Sequence, residues 1–482
     1  MSNVNFQSDK STNGHLAFPG LTMSSRHPST DHSSDLGRPA LRRFSGAGWG
    51  VFLCVMYPLL AVAPLIALYV IDPDADHPLV AQLGIHCAMV GFALLSMQFV
   101  LTARLSWIEA PFGLDLVLRF HRAMAFVIVV LLCAHPVLIA SSESWRLLTK
   151  LHIHWYFWAG RIALVLLIIQ ITAAMLRSAM KMPYERWRQT HNAIALVILT
   201  LGVAHGLAAA GHDLTSAAKL TVWMAVPTIA LTTWLYTHAI RPHLLARQTF
   251  RVHSVQFEAP RVWTVTLERQ AGKPFRFSPG QFQFLRLLDS NVPAEEHPFT
   301  IASSPSHTQH ISLTIKDCGN FTTLIDRIQI GDRATVHGPF GRFSHDLHPD
   351  EGHLVFVAGG VGITPLMSML RAMRDRCEPR QVTLIYASRG GLEDIIFSQE
   401  LIAMEAGAYP LLKVIYVLSQ PPPWWTGETG RVDALRLDQW CDGLEDKAFY
   451  LCCPPQMTKE LVRGLRHCRV SPHRIHSDYF SL

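Results

Sequence analysis

The chain has 482 residues, of which 49% are hydrophobic, and carries a net charge of +6. That length allows a membrane domain with one or two soluble domains, and the modest, dispersed positive charge fits a cytoplasmic membrane face better than a nucleic-acid ligand. The nine cysteines contain no zinc-type CxxC set, which speaks against both a metal ribbon and a disulfide framework.

Residues 1–46 are rich in Ser, His, Asp and Pro and read as a disordered cytoplasmic tail, too polar and too long for a cleaved signal peptide. Six apolar stretches follow, roughly 48–71, 83–103, 117–140, 157–177, 189–210 and 219–240. Each is about the twenty residues that a helix needs to cross the hydrocarbon core. Arg38, Arg42 and Arg43 precede the first, Arg177, Lys181, Arg186 and Arg188 fill the loop after the fourth, and Arg241 and Arg247 follow the sixth. Asp72, Asp74, Asp76 and Glu143 sit in the opposite loops. This cation bias predicts a multi-pass protein of the cell inner membrane, with its N-terminus and long C-terminal region in the cytoplasm.

Spans three and five then run parallel, from inside to outside. Each holds two histidines fourteen residues apart: His121 and His135, then His191 and His205. Fourteen helical residues rise about 21 Å and return to within about 40° of the same face. Two such helices side by side would present His121 with His191 near the inner leaflet and His135 with His205 near the outer one. That is the arrangement two b-type haem irons need. A single intramembrane histidine, such as His86, is accounted for by a helix-to-helix hydrogen bond. Four at matched spacing on parallel helices are not. Arg122, beside an inner ligand, is placed to meet a haem propionate or to snorkel at the helix end.

After Arg247 the pattern changes to short alternating strands, Phe250–Phe257, Trp263–Glu268 and Phe282–Leu288, with a turn at Pro279-Gly280-Gln281. His297-Pro298-Phe299-Thr300 opens a strand running to Ser304, offering a flavin a flat apolar contact and hydrogen bonds for its polar edge. Lys316 then leads into Gly319, Asn320, Phe321, Thr322 and Thr323, where a Gly turn and a helix start among hydroxyls suit a phosphate. Gly338–Phe343 reads as a closing turn.

The last region opens with the apolar strand His353–Ala358, followed by Gly359, Gly360, Val361, Gly362, Ile363, Thr364 and Pro365. The glycines permit close approach of a pyrophosphate, with Thr364 expected at N-cap and Pro365 at N1. A strand over Gln381–Ala387 ends at Ser388-Arg389, where a ribose 2′-phosphate would be received. A third strand, Ala448–Leu451, ends at Cys452-Cys453-Pro454, which places Cys452 against the nicotinamide or in the core. Phe480, near the end, is an aromatic that would cover a flavin face or pack.

Together these residues resemble the NADPH oxidase and ferric reductase superfamily, particularly its bacterial members, over about residues 48–482. The resemblance implies a multi-domain fold: a six-helix transmembrane haem-binding bundle (47–242), an antiparallel β-barrel FAD domain (246–346) and an α/β parallel-sheet NAD(P)H domain (350–482). It implies FAD, two haem b groups and NADPH or NADH as cofactors. His121, His135, His191 and His205 would be the haem ligands. His297–Thr300, Lys316, Gly319, Thr322 and Thr323 would hold FAD, and Gly359, Gly360, Gly362, Thr364, Pro365, Ser388 and Arg389 would hold the nucleotide. Cys452 and Phe480 would lie at the hydride-transfer site. The family commonly has Cys-Gly-Pro where this chain has Cys452-Cys453-Pro454. The expected partners are the lipid bilayer and a small external acceptor, oxygen ahead of a ferric chelate, with no nucleic acid. An oligomer, or a role as electron supplier to a periplasmic redox partner, stands beside these.

Overall fold

The computed structural model describes residues 46–71, 78–152, 154–210 and 217–478. Residues 1–45, the acidic loop with Asp72, Asp74 and Asp76, and Phe480 lie outside the described residues.

Among the described residues, six helices are long and apolar enough to cross a membrane. They are α1 (Ala47–Ile71), α2 (Leu79–Thr102), α4 (Leu114–Ser142), α5 (Trp155–Leu176), α6 (Tyr184–Ala210) and α7 (Ala217–Leu235); the short α3 (Ser106–Phe112) lies between the second and third spans. A π-helical turn, Tyr236–Ile240, and a final turn, Arg241–Ala246, continue α7. Helices are favoured here because lipid offers no partner to an open N–H or C=O group. Large apolar side chains such as Val51, Val130 and Val165 remain exposed on the outer surface, as a lipid-facing bundle requires. Helix α2 packs on α4 and α5 on α6. Gly84 and Gly91 let α2 approach α4 closely: a Cβ at Gly91 would stand 2.9 Å from Leu132. By contrast, α4 and α6 do not pack closely, and their histidines face each other across the gap.

The next six strands are antiparallel: β1 (Thr249–Ala259), β2 (Val262–Arg269), β3 (Phe282–Leu287), β4 (His297–Thr300), β5 (His310–Lys316) and β6 (Arg333–Phe340), ordered β4-β3-β6-β1-β2-β5. An antiparallel bridge from Ile301 to Leu313 joins the two edges and closes the sheet into a barrel. Alternating residues such as Val252, Val265, Leu267, Leu285 and Leu313 fill its interior. The predicted strand to Ser304 stops at Thr300, because Ser303 Oγ turns to accept the Ser312 N–H at 3.1 Å. The segment predicted as only a closing turn instead includes the end of β6.

The final sheet is wholly parallel: β7 (His353–Gly359), β8 (Gln381–Ser388), β9 (Leu411–Leu418), β10 (Glu428–Thr429), β11 (Ala448–Cys452) and β12 (Ile475–Asp478), ordered β10-β9-β8-β7-β11-β12. The chain leaves β7 for β8 on one side and reaches β11 on the other, so the crevice at the carboxyl ends of β7 and β11 is a topological switch point. Helix α8 (Ile363–Asp375) follows β7. The helix begins earlier than the sequence predicts. Gly360, at φ +54°, starts a 3-10 turn, so N-cap falls on Gly362, and the Thr364 hydroxyl donates to Val361 O rather than capping. Helix α8 also ties the two soluble modules together. Its Ser368 Oγ and Arg371 Nη1 donate to Ser303 O and Ala302 O, both at 2.8 Å, and barrel residues Ala259, Val262 and Phe343 share a core with Phe356, Met369 and Tyr450.

Candidate functional site: a histidine ladder joined to a nucleotide crevice

The ring centres of His121 and His191 lie 6.4 Å apart, and those of His135 and His205 lie 6.2 Å apart, with planes turned by 66° and 69°. A metal–nitrogen bond of about 2 Å on each side, plus about 1 Å from each nitrogen to its ring centre, predicts roughly 6 Å for two imidazoles sharing one ion. Both pairs meet that spacing, edge toward face. In the outer pair, His135 Nδ1 lies 3.0 Å from Gly84 O, and His205 Nδ1 lies 2.8 Å from Tyr156 O. A carbonyl only accepts, so Nδ1 is the donor in both rings, which leaves Nε2 as the nitrogen available to a metal. Carbonyl support of this kind fixes the tautomer of metal-bound imidazoles. Gly160 makes room for it, since a Cβ there would stand 2.9 Å from the His205 ring. In the inner pair the buried Nδ1 atoms of His121 and His191 have no hydrogen-bond partner among the described residues.

The inner pair lies about two turns from the start of each helix, next to the barrel. There Leu114 and Leu118 of α4 pack with Phe282, Phe284 and Phe340. Around this apolar contact lies a polar rim that sequence reasoning missed. Arg104, between α2 and α3, pairs with Glu296 at 2.8 Å, and its guanidinium lies 3.6 Å from the centre of the Phe284 ring. Arg188 of α6 reaches the same carboxylate at 3.6 Å. Burial alone would raise the Glu296 carboxyl, but its contacts with His337 and Arg104 hold it well below the usual carboxylate range. His337 lies 3.5 Å from Glu296, long for a hydrogen bond, and burial lowers its own pKa, so Arg104 supplies the charge at neutral pH. On α3, Glu109 accepts the Gly341 N–H at 2.8 Å, and Arg342 donates to Ala110 O at 2.5 Å. Burial pushes the Glu109 carboxyl up to about 7.

In the barrel, the His297 ring stacks on Phe321 at 3.9 Å, with Phe299 alongside and Thr300 buried. Gly280 at φ +91° is required, because a Cβ would meet Phe343 O at 2.1 Å. The expected helix after Gly319 is a six-residue 3-10 helix, Thr322–Arg327. Thr322 Oγ1 already accepts the N–H groups of Cys318 and Gly319, at 2.9 and 2.8 Å, while Lys316 and Thr323 are exposed.

At the switch point, a Cβ on Gly362 would stand 1.9 Å from Cys452 O, so this glycine seats the loop on the end of β11. Gly360 has open space where its Cβ would be, and Tyr386 Oη donates to its carbonyl at 3.1 Å. Pro365 is buried in α8, Ser388 is buried at the end of β8, and Arg389 is exposed beside it. Cys452 is fully buried, and burial pushes its thiol well up; Cys453 is held by an Sγ contact to Val357 O at 3.2 Å. The structure therefore brings Gly359–Gly362, Ser388–Arg389 and Cys452 to one crevice, with Cys452 beneath its surface.

A multi-pass bundle, a flavin-type barrel and a parallel nucleotide-binding sheet define a membrane NAD(P)H-dependent oxidoreductase. Residues 87–203 match the family described as ferric reductase like transmembrane component, 247–338 the FAD-binding domain, and 356–463 the oxidoreductase NAD-binding domain. These three matches, in this order along the chain, make up the architecture of the NADPH oxidase and ferric reductase superfamily. It is similar to the stachydrine N-demethylase reductase subunit of Rhizobium meliloti, 30% identical over 231 residues, covering 46% of this chain and 64% of that protein. It is also similar to the gamma subunit of sulfhydrogenase 1 from Pyrococcus furiosus, 30% identical over 209 residues, covering 43% and 69%. An Amycolatopsis cytochrome P450 reductase aligns over 49% of this chain and 70% of its own, at 24% identity and a TM-score of 0.43.

Proposed function

We propose that the chain passes electrons from cytoplasmic NAD(P)H across the bilayer to an external acceptor, reducing O2 to superoxide. When bound, FAD would take up a hydride and two b-type haems would carry its electrons one at a time. The observation that carries this reading is the pair of histidine couples, spaced 6.4 and 6.2 Å between ring centres and set fourteen residues apart along two parallel helices.

The roles of the chain's own residues follow. His121 with His191, and His135 with His205, would hold the irons, while Gly84 O and Tyr156 O orient the outer rings. Phe299, Thr300 and the His297–Phe321 stack would bind the flavin, with Lys316, Gly319, Thr322 and Thr323 near its phosphates. Gly359, Gly360 and Gly362 would admit the pyrophosphate of the nucleotide, and Ser388 and Arg389 its ribose 2′-phosphate. Cys452 and Phe480 are proposed at hydride transfer, and Cys452 would have to be uncovered for that. The Leu114–Phe284–Phe340 contact keeps water from the junction and fixes the barrel beside the inner histidines. Inner-membrane placement, with the soluble half inside, is supported by the arginines at Arg104, Arg188 and Arg241 around that junction.

The description of the matching transmembrane family favours a second reading, reduction of a ferric chelate outside the cell; supply of electrons to a periplasmic protein is a third. Purified protein given NADPH in aerobic buffer separates them. Superoxide formation predicts cytochrome c reduction that superoxide dismutase abolishes. Dismutase-insensitive reduction without oxygen uptake, together with rapid anaerobic reduction of ferric chelate, would replace oxygen with iron as the acceptor.

A further inference from the structure

Three groups of His and carboxylate side chains among the described residues have ligand atoms close enough to share an ion. All three lie in the soluble half, and their surroundings differ. In the first, His345 faces Asp346 and Glu378, but Arg376 lies 2.7 Å from Asp346 and Arg380 lies 2.5 Å from Glu378. Two guanidinium groups already neutralise that site. In the second, both oxygens of Glu351 are taken at 2.7 Å, one by His476 and one by Tyr450. Hydrogen bonds that short leave no room for an ion between donor and acceptor.

The third group is His253, Glu268 and His310, on the adjacent strands β1, β2 and β5. Glu268 and His310 are paired directly across β2 and β5. A register shift between Val252 and Ser254 places His253 at a bulge, and the extra residue turns its side chain toward the same outward-facing row. His253 Nδ1 lies 3.9 Å from Glu268 Oε2, and the two imidazole rings are 5.0 Å apart at 62°. Two atoms each about 2.1 Å from a tetrahedral ion stand about 3.4 Å apart, so small side-chain rotations close the set. The 3.9 Å separation is too long for a hydrogen bond and suits a bridging ion. The cation nearest in register, Arg251, is drawn off to Gly331 O at 2.9 Å, and the neighbouring Gln270 amide, 3.1 Å from Glu268 Oε2, is uncharged.

We infer that His253, Glu268 and His310 form a binding site for a divalent transition-metal ion of the zinc, cobalt or nickel kind on the outer face of the barrel. Two neutral imidazoles and one carboxylate are the donor set that such borderline ions take, whereas magnesium and calcium require more oxygen. The side chains of His253 and Glu268 are 55% and 44% exposed, so water or an incoming ligand completes the coordination. Bound there, the ion ties β1 to β5 across β2 at the end of the sheet away from Lys316, and so acts on barrel stability and not on the flavin segments.

The test uses the purified full-length chain, metal-free and then titrated with Zn2+, with Co2+ as the spectroscopic probe. The inference predicts a Co2+ visible band typical of low coordination number and a Zn2+-dependent rise in the melting temperature. Losing even an outer partner of a metal ligand costs about 10–100-fold in affinity, so His253→Ala and His310→Ala should each weaken this binding by about tenfold or more. The double variant should lose one bound ion per chain while keeping its flavin spectrum and metal-free melting temperature. These side chains are on the surface, so the barrel should fold without them. An unchanged Zn2+ stoichiometry and Co2+ spectrum in the double variant would overturn the inference, as would the absence of any Zn2+-dependent shift in the parent protein.

Discussion

His205 sits against Gly160: the His205 Nδ1 atom lies 2.9 Å from where a Cβ on Gly160 would be, while the same Nδ1 is 2.8 Å from Tyr156 O, one helical turn earlier on α5. The orientation of the His205 ring is therefore set by the backbone of α5. Gly160→Val should push the ring off its carbonyl and disturb the outer site alone. Absorption and EPR spectra of the variant should show one altered haem and one normal one, whereas a normal spectrum for both would remove this role for Gly160.

The Arg104–Glu296 pair joins the membrane bundle to the barrel and is mostly buried, with side chains 14% and 17% exposed. Removing one partner of such a pair typically costs about 3–5 kcal/mol, because the other charge is left unpaired. Arg104→Ala should therefore loosen docking. Reduction of ferricyanide, which can take electrons from flavin directly, should persist with NADPH, while haem reduction under anaerobic stopped flow should slow. Equal loss of both activities would mean that the pair serves general stability instead.

Glu109 gives the same junction a pH dependence. Its folded pKa, about 7, lies above its ordinary 4.5, chiefly through burial and against the opposing Gly341 N–H and Arg342. The folded state thus holds the proton more tightly. This contribution to stability is complete below about 4.5 and is lost as pH rises through about 7. Thermal melts from pH 5 to 8 should show stability falling over that range. Glu109→Gln keeps an acceptor for Gly341 and should flatten the slope; an unchanged slope would assign the titration elsewhere.

Arg389 is exposed at the end of β8 beside Ser388, where a 2′-phosphate would lie. Arg389→Ala should raise KM for NADPH by about tenfold, roughly the worth of one charge-assisted contact, and leave KM for NADH nearly unchanged. Equal effects on both nucleotides would show that this arginine does not read the phosphate.

The membrane half was legible because its signals are local. Apolar length marks the spans, and a fourteen-residue interval on a helix keeps His121 in line with His135 wherever the ends fall. The Gly359–Gly362 turn was legible for the same reason, although its capping was not: the 3-10 turn at Gly360 depends on Gly362 seating against Cys452, which is distant in sequence. Strand β9, Leu411–Leu418, was missed because Lys413 interrupts its apolar run and its middle residues are only half-buried. The junction was invisible for a deeper reason. Arg104 meets Glu296, and Glu109 meets Gly341, across separations of 192 and 232 residues, and neither partner belongs to a local pattern. Only the fold brings them together.

Two bis-histidine haems in register across the bilayer can be counted from the haem-to-FAD ratio of the purified chain, read by pyridine haemochrome and flavin absorbance. The expected ratio is about two haems per FAD in the parent protein, and about one in His135→Ala with the remaining haem still low-spin. A ratio of one or less in the parent protein, or a ratio unchanged by His135→Ala, would contradict it.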